Sequence, residues 1–229
     1  MSEIVVVADP AELARKVALR TASELALAIE ERGFGFVALP GGSFARALFE
    51  ELVELSLQWD KVEFFFTDEC GVPPEHPASR YAAANLILLK NQRIGAHQLH
   101  RVEADHHDLE WAAERYAEEF PDDGFDVMLF ELGVDGHIAS LFPNSPAFDE
   151  SERLLVPVEV EQKPKRRVTM TPAAIALART TILYAQGRDK AAAVERALLG
   201  PLDPRACPAQ LLRDGVWLIE RGAAPRTSC

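Results

Sequence analysis

The chain is predicted to fold as an α/β protein with a mostly parallel sheet and helices on both faces. Short apolar runs alternate along the chain with segments whose apolar residues recur at helical spacing, the order expected of βαβ units. The run 125–130 is almost wholly apolar, as is typical of a strand buried on both faces of a sheet. The 229 residues are 48% hydrophobic and 26% charged, proportions typical of a globular protein, and no internal repeat or clear linker divides them. We therefore expect a single domain over residues 1–229.

The first helix shows how the elements are assigned. Asp9 precedes Pro10, and Glu12 lies three positions after Asp9, the pattern of an N-cap, a proline in the first turn and a capping acid. Gly33 then ends the helical periodicity. Similar signals predict strands over 4–8, 35–39, 62–66, 98–102, 125–130, 154–158, 168–170, 181–185 and 216–219. They predict helices over 10–32, 44–55, 79–88, 105–120, 138–142 and 171–178, and one that follows 187–190 and ends at 199.

The composition argues against several functional classes. The net charge of −12 at pH 7 argues against nucleic acid as the main partner, and it means that an anionic substrate would need a local positive cluster. No apolar run approaches the roughly 20 residues that a membrane span needs, and residues 1–3 lack the basic start of a secretory signal. The three cysteines, Cys70, Cys207 and Cys229, suit neither a disulfide framework nor a zinc site. We expect a cytoplasmic protein that binds neither nucleic acid nor membrane.

The segment 133–143 is the strongest candidate for a catalytic site. It follows the buried strand 125–130 and places Asp135 and His137 after glycines, which allow sharp reversal and close approach to a ligand. Ligands bind open α/β sheets at the carboxyl ends of the strands, and histidine can act as a base near neutral pH. The alternative is a plain strand-to-helix turn, with Asp135 as a helix cap and an exposed His137.

Two further segments are candidates for an anion site. Gly41, Gly42 and Ser43 lie between a predicted strand and a predicted helix, where backbone N–H groups and a hydroxyl can point at an anion. Arg167 and Lys190 are the natural cations for the local positive cluster, because arginine grips phosphate bidentately and lysine supplies a point charge. A simple turn and solvated basic residues are the alternatives.

Other reactive side chains have more ordinary interpretations. Asp68 and Glu69 end a predicted strand, where they either carry out acid–base chemistry or, more commonly, hold a neighbouring loop. Residues 105–108 contain two acids and two histidines, but they more simply begin a helix with Asp105 as its cap than bind a metal. Cys70 has no evident activating partner, and Ser140 lacks the context of a nucleophilic serine.

Taken together and in this order, these segments resemble the 6-phosphogluconolactonases over nearly the whole chain. The motifs that carry the resemblance are 41–43, 59–69 with 72–81, 133–143, 167–169, 187–190 and 208–219. The resemblance implies a modified doubly wound sheet like that of the sugar-phosphate isomerases and deaminases. It implies hydrolysis of 6-phosphogluconolactone to 6-phosphogluconate in the oxidative pentose phosphate pathway, without metal or cofactor. By position, His137 would be the general base, assisted by Asp135, and Gly42, Ser43, Arg167 and Lys190 would hold the phosphate.

The chain departs from the family pattern at three positions. Cys70 stands where the family usually has arginine, Arg80 where it has asparagine, and Glu131 where it tends to have glycine. In the family, this arginine and the acid that corresponds to Asp68 are expected to contact substrate. The chain keeps Asp68 but lacks the arginine's cation. We predict that Arg80 faces the pocket and compensates for this loss.

Two rival functions remain open. Residues 135–139 also resemble glucosamine-6-phosphate deaminase, but that family continues with Asn-Glu-Pro, whereas here Leu141, Phe142 and Pro143 follow. The other rival is a sugar-phosphate-binding regulator that has lost catalysis, which Cys70 keeps open.

Overall fold

The structure is a computed structural model that describes residues 3–88 and 94–225. Its strands are β1 (Glu3–Val7), β2 (Gly35–Leu39), β3 (Val62–Phe66), β4 (Asp68–Cys70), β5 (Phe125–Glu131), β6 (Leu155–Glu159), β7 (Arg166–Met170), β8 (Ala178–Ala185) and β9 (Val216–Glu220). Its α-helices are α1 (Pro10–Arg32), α2 (Ala45–Val53), α3 (Arg80–Leu88), α4 (Leu109–Ala117), α5 (Pro172–Ile175) and α6 (Ala191–Leu199). No described helix combines the length and the apolar composition that crossing a bilayer requires.

The main sheet has six parallel strands in the order β1-β9-β8-β5-β2-β3. Successive side chains of a strand point to opposite faces, so each strand feeds two apolar layers. Along β5, Val127 and Leu129 pack in the layer that contains α1, α2 and α3, whereas Met128 and Phe130 pack in the layer that contains α4, α5 and α6. The predicted fold class, a mostly parallel sheet with helices on both faces, is confirmed.

A second sheet of three antiparallel strands, in the order β4-β7-β6, was not predicted. Residues 154–158 and 168–170 were assigned correctly as strands, but nothing in the sequence separated them from the parallel sheet. Asp68–Cys70 was interpreted as the end of β3, whereas it forms β4 and pairs with β7, so that Asp68 lies opposite Thr169 and Cys70 opposite Arg167. This long-range pairing brings a carboxylate and a cation from distant parts of the chain to one place.

The first helix follows its sequence signals closely. The Asp9 carboxylate accepts a hydrogen bond from the backbone N–H of Glu12 at 2.9 Å, and the Glu12 carboxylate accepts one from the N–H of Ala8 at 2.8 Å. Gly33 ends the helix in the left-handed region with a φ of 88°, and its N–H bonds to the carbonyl of Ile29. Local capping chemistry therefore fixed both ends of α1, as predicted.

The helix predicted over 138–142 is wrong. Ile138 and Leu141 instead pair across a tight turn, with the Leu141 N–H donating to the Ile138 carbonyl at 2.9 Å. Ala139 within the turn has a φ of 50°. A five-residue segment gains too little from helical hydrogen bonds to offset nucleation, and the turn lets the buried Ser140 hydroxyl reach the Asp68 carboxylate. His137 consequently does not stand at a helix N-terminus.

One other predicted element is wrong, and the bounds of two predicted helices differ from those observed. Within 98–102, all of them described residues, the only strand-like contact is a bridge between Leu99 and Phe64, so the predicted strand is wrong. The helix predicted over 105–120 is α4, and its cap is Asp108, which accepts from the N–H groups of the first turn, rather than Asp105. The helix predicted over 171–178 ends at Ile175, because the chain must already extend at Ala178 to begin β8.

Candidate active site

A cleft of about 220 Å³ lies at the carboxyl ends of β2 and β5, between the parallel sheet and the three-stranded sheet. Its walls combine backbone of the turn after β2 with side chains from five other segments. The charged or titratable residues that line it are Asp68, Arg80, Glu131, His137, Arg167 and Lys190. The cleft therefore holds the local positive cluster that an acidic chain would need in order to bind an anion.

His137 is oriented by Asp135. Nδ1 of the imidazole lies 2.5 Å from Oδ1 of Asp135, and the same oxygen accepts the backbone N–H of His137 at 3.0 Å. Burial raises the pKa of Asp135, but the hydrogen bonds and charge of His137 outweigh this effect, so the pKa lies below its usual value. Because an ionised carboxylate can only accept, we assign the imidazole proton to Nδ1, which leaves Nε2 with a free lone pair.

The loop that carries this pair is closed tightly on itself. The Gly133 N–H donates to the His137 carbonyl at 2.8 Å, and the Gly136 N–H donates to the Gly133 carbonyl at 3.0 Å. Gly136 has a φ of 91°, which glycine adopts without strain. A Cβ at Gly133 would lie 2.0 Å from Nδ1 of His137. The loop therefore requires glycine next to the imidazole, as the sequence pattern indicated.

Asp68 and Arg80 form a buried ion pair in the cleft wall. Oδ1 of Asp68 accepts from Nε of Arg80 at 3.2 Å, and Oδ2 accepts from Nη2 at 3.0 Å and from the Ser140 hydroxyl at 2.5 Å. Burial raises the pKa of Asp68, but the charge of Arg80 and these hydrogen bonds outweigh it, so the pKa lies below its usual value. Arg80 also packs on the turn after β2, since a Cβ at Gly41 would lie 2.1 Å from its Nε. Arg80 lines the cleft, as predicted, but its charge is already paired.

Glu69, next to Asp68, caps α3 from inside the protein. Its carboxylate accepts hydrogen bonds from the Ser79 hydroxyl and from the backbone N–H groups of Arg80 and Tyr81, at 2.8–2.9 Å. Burial raises the pKa of Glu69 despite these donors. The two carboxylates at this strand end thus hold neighbouring segments, the more common of the two roles considered for them.

Arg167 is buried and reaches the cleft from β7. Its guanidinium donates to the carbonyl of Pro164 at 3.0 Å and to the Ser140 hydroxyl at 3.3 Å, and it lies 5.7 Å from the centre of the Phe142 ring. The same ring stacks on the imidazole of His137, with centroids 4.2 Å apart. Phe142 therefore links the predicted base to the predicted anion-binding cation.

Lys190 and Glu131 face the turn that contains Gly42 and Ser43. Nζ of Lys190 donates to the carbonyl of Leu132 at 2.5 Å. The Glu131 carboxylate accepts from the Ser43 hydroxyl at 3.3 Å and from the Phe44 N–H at 3.4 Å. Burial raises the pKa of Glu131, although the charge of Lys190 and these donors act in the opposite direction.

Two sequence candidates are not among the residues that line the cleft. The thiol of Cys70 is buried, and burial raises its pKa, which favours the inert interpretation. His106 and His107 contact each other's rings, and no group of three or more histidines, cysteines or acids among the described residues is arranged to hold a metal ion.

The cleft brings together most of the predicted site residues. Gly41, Gly42, Asp68, Arg80, His137, Arg167 and Lys190 line it. Asp135 reaches it through His137, and Ser43 through its contact with Glu131. Sequence reasoning missed the parts played by Glu131, Ser140 and Phe142. Only Glu131 carried a signal, a charge at the C-terminal end of a strand that is apolar from Val127 to Phe130.

Comparison with known proteins gives concordant matches. The family model described as glucosamine-6-phosphate isomerases/6-phosphogluconolactonase matches residues 8–219. The 6-phosphogluconolactonase of Synechocystis is 33% identical over 210 residues, 86% of each chain, and that of Mycobacterium tuberculosis is 33% identical over 98% of each chain. The structure of 6-phosphogluconolactonase from Trypanosoma brucei is similar with a TM-score of 0.85 and 26% identity, covering 100% of this chain and 99% of that one. A monomeric glucosamine-6-phosphate deaminase shares the fold, with a TM-score of 0.85 at 21% identity over 96% of this chain and 98% of that one.

Proposed function

The chain belongs to the family of glucosamine-6-phosphate isomerases and 6-phosphogluconolactonases, and we propose that it hydrolyses 6-phosphogluconolactone to 6-phosphogluconate with His137 as general base. The reaction belongs to the oxidative pentose phosphate pathway, and we propose a cytoplasmic location. The relatives of at least 30% identity that carry this activity in their names span nearly the same length as this chain.

One observation carries the mechanism: His137, held by Asp135, lines a cleft that also contains Arg80, Arg167 and Lys190. The pair supplies a base whose ring is held in one orientation. The cations supply the attraction for an anionic sugar phosphate in a chain of net charge −12. Neither feature alone distinguishes a lactonase from a binding protein, but together they support the proposal of a base beside a site for a phosphorylated ligand.

The chemical steps use the free lone pair on Nε2. Water gives a proton to Nε2 as its oxygen attacks the lactone carbonyl carbon, and the carbonyl oxygen becomes an oxyanion. The oxyanion then re-forms the carbonyl, the bond from carbon to ring oxygen breaks, and that oxygen takes the proton back from Nε2. The new carboxylic acid ionises and releases one proton. A positioned base of this kind contributes about 10²–10⁴ in rate.

Asp135 acts through His137 rather than on the substrate. It accepts a hydrogen bond from Nδ1–H, so it fixes the tautomer in which Nε2 is basic, and its negative charge stabilises the imidazolium that forms during attack. Phe142 restrains the same ring from its face. A base held in one orientation reacts without first losing rotational freedom.

Binding of the phosphate also orients the lactone. We propose that Gly42, Ser43, Arg167 and Lys190 hold the phosphate, with Asp68 and Arg80 in the wall beside it. Fixing one end of the substrate lowers the entropic part of the barrier for attack at the other end. Arg167 or backbone N–H groups are the candidates for stabilising the oxyanion. The proposed steps use side chains and backbone groups of this chain and need no metal or cofactor.

The proposal is tested by supplying freshly generated 6-phosphogluconolactone and correcting for its spontaneous hydrolysis. We expect turnover of this lactone and a much lower kcat/KM for gluconolactone, which lacks the phosphate. Ammonia release from glucosamine 6-phosphate would instead identify a deaminase. Binding of 6-phosphogluconate without any turnover of the lactone would identify a regulator, and either result would overturn the proposal.

A further inference from the structure

Glu131 lies where the proposed phosphate site should be open. Its carboxylate covers the backbone of Gly42, so that a Cβ on that glycine would lie 2.0 Å from Oε2. Oε1 accepts the Ser43 hydroxyl at 3.3 Å, and Oε2 accepts the Phe44 N–H at 3.4 Å. The donors at the start of α2 are therefore directed at an anion that the chain itself supplies.

These donors are the ones that a phosphate would use. A glycine turn at the start of a helix offers N–H groups and a hydroxyl to a bound anion, with the helix dipole aligned to favour negative charge. Lys190 approaches from the start of α6, and its charge acts on Glu131. A carboxylate in this position has the same sign of charge as a phosphate and hydrogen-bonds to the same partners.

The charged and titratable groups around Glu131 come from several elements. Lys190 at the start of α6 and His137 in the loop after β5 favour its ionised form. Tyr184 lies opposite Glu131 in the pairing of β5 with β8. Burial, and then the negative charge of Glu131, raise the pKa of the Tyr184 hydroxyl. Asp68, Arg80 and Arg167 line the same cleft. Burial acts against ionisation and raises the pKa of Glu131.

We propose that Glu131 is a specificity-determining residue that fills the phosphate subsite with its own carboxylate, so that a phosphorylated ligand binds only by displacing or neutralising it. The inference rests on the proposed function for the identity of the substrate, but not for the binding of phosphate. It makes the free site closed to weakly bound anions. It also makes the affinity for phosphate depend on the protonation state of one side chain.

The dependence on pH has a definite sign. An ionised Glu131 repels the phosphate and competes with it for Ser43, Phe44 and Lys190, whereas a protonated Glu131 does not repel it. As the pH falls towards the raised pKa of Glu131, phosphate binding is therefore relieved of this competition. The ligand's own phosphate also titrates in this range, so wild type must be compared with a variant at each pH.

The test measures the binding of inorganic phosphate, 6-phosphogluconate and gluconate to wild type, Glu131→Gln and Glu131→Ala by titration calorimetry. Glu131→Gln keeps the shape and removes the charge, whereas Glu131→Ala also clears the space. Glu114→Gln, the same change of charge on an exposed face of α4, is the matched control. Thermal unfolding of each variant shows that it is folded before binding is compared.

At pH 8 we expect both Glu131 variants to bind 6-phosphogluconate about tenfold more tightly than wild type or the control, because a like charge at contact distance is removed. Inorganic phosphate should follow the same order, and the affinity for gluconate should not change. The ratio of wild-type to variant dissociation constants should fall towards one as the pH is lowered. If Glu131→Ala tightens binding and Glu131→Gln does not, the charge of Glu131 does not control the site and the proposal is overturned.

The proposal is overturned if both variants bind phosphate as wild type does, or more weakly, since Glu131 would then support the site rather than fill it. It is also overturned if gluconate gains as much affinity as 6-phosphogluconate. These outcomes are independent of turnover. Tighter phosphate binding in variants of a protein that does not hydrolyse the lactone would reject the proposed function and leave this inference intact.

Discussion

Replacing Arg80 with alanine tests the ion pair on which the wall of the cleft depends. The substitution removes two of the three side-chain donors to Asp68, at 3.2 and 3.0 Å, and leaves the Ser140 hydroxyl at 2.5 Å. The Asp68 side chain is only 2% exposed, so its carboxylate depends on protein donors rather than on bulk solvent while Arg80 is in place. Breaking a buried pair in this way costs about 3–5 kcal/mol. Because Ser140 and the nearby charge of Arg167 remain, we expect a loss of about 3 kcal/mol in the free energy of unfolding.

The loss should depend on pH in a known direction. The pKa of Asp68 is lower in the folded chain than its usual value, so the pair stabilises the fold above about pH 4, and this contribution disappears as the pH falls through the folded pKa. The difference between wild type and Arg80→Ala should therefore be largest near neutral pH and shrink in acid. Urea unfolding followed by circular dichroism across this range measures it.

Arg115→Ala is the matched control for this experiment. Arg115 pairs with Glu118 on the surface of α4, where both side chains are more than half exposed, and the expected loss is below about 1 kcal/mol. An Arg80→Ala loss as small as the control's, or one that does not change with pH, would refute the assignment of Asp68 and Arg80 as a buried pair.

In the folded variant we also expect 6-phosphogluconate to bind more weakly by about 1–3 kcal/mol, the range for a charged hydrogen bond. Unchanged affinity would remove Arg80 from the binding site, and Cys70→Arg should then raise activity.

Two other substitutions address the base. Asp135→Asn keeps the shape of the side chain but removes the charge that fixes Nδ1, so kcat should fall by at least about 100-fold with little change in the affinity for 6-phosphogluconate; a variant with near-normal kcat would remove Asp135 from the mechanism. Gly133→Ala places a Cβ where the His137 ring now lies, so the ring must move away from Asp135 and Phe142 and kcat should fall by about 100-fold. A normal kcat in this variant would show that the observed ring position is not the reactive one.

The sequence predicted those parts of the fold that local chemistry determines. The strands 35–39 and 62–66 and both ends of α1 were predicted correctly, because apolar runs, a capping acid and a terminal glycine specify them within a few residues. The turn at 138–142 was predicted wrongly as a helix, because its conformation depends on the buried contact of Ser140 with Asp68, which lies 72 residues away. The pairing of β4 with β7 is likewise decided by tertiary contacts.

The same division applies to the site. The positions of Gly42, His137 and Lys190 around one cleft followed from their places at the ends of elements, whereas Arg167 reaches the cleft through the pairing of β4 with β7. The family resemblance suggested the roles of all four. What those side chains touch did not follow. Nothing local indicates that Asp68 forms an ion pair with Arg80, or that Glu131 accepts hydrogen bonds from Ser43 and Phe44. Such pairings depend on which charges the fold buries together, and only the structure supplies that information.

The most direct test of the account is the turnover of 6-phosphogluconolactone by His137→Ala. Removal of the base should lower kcat by about 10²–10⁴, or about 3–5 kcal/mol in the barrier, after correction for spontaneous hydrolysis. Binding of 6-phosphogluconate, measured on the same preparation by calorimetry, should persist because the cations of the cleft are untouched. A variant that binds the product and turns over the lactone at a near-normal rate would contradict the central claim that His137 activates the water.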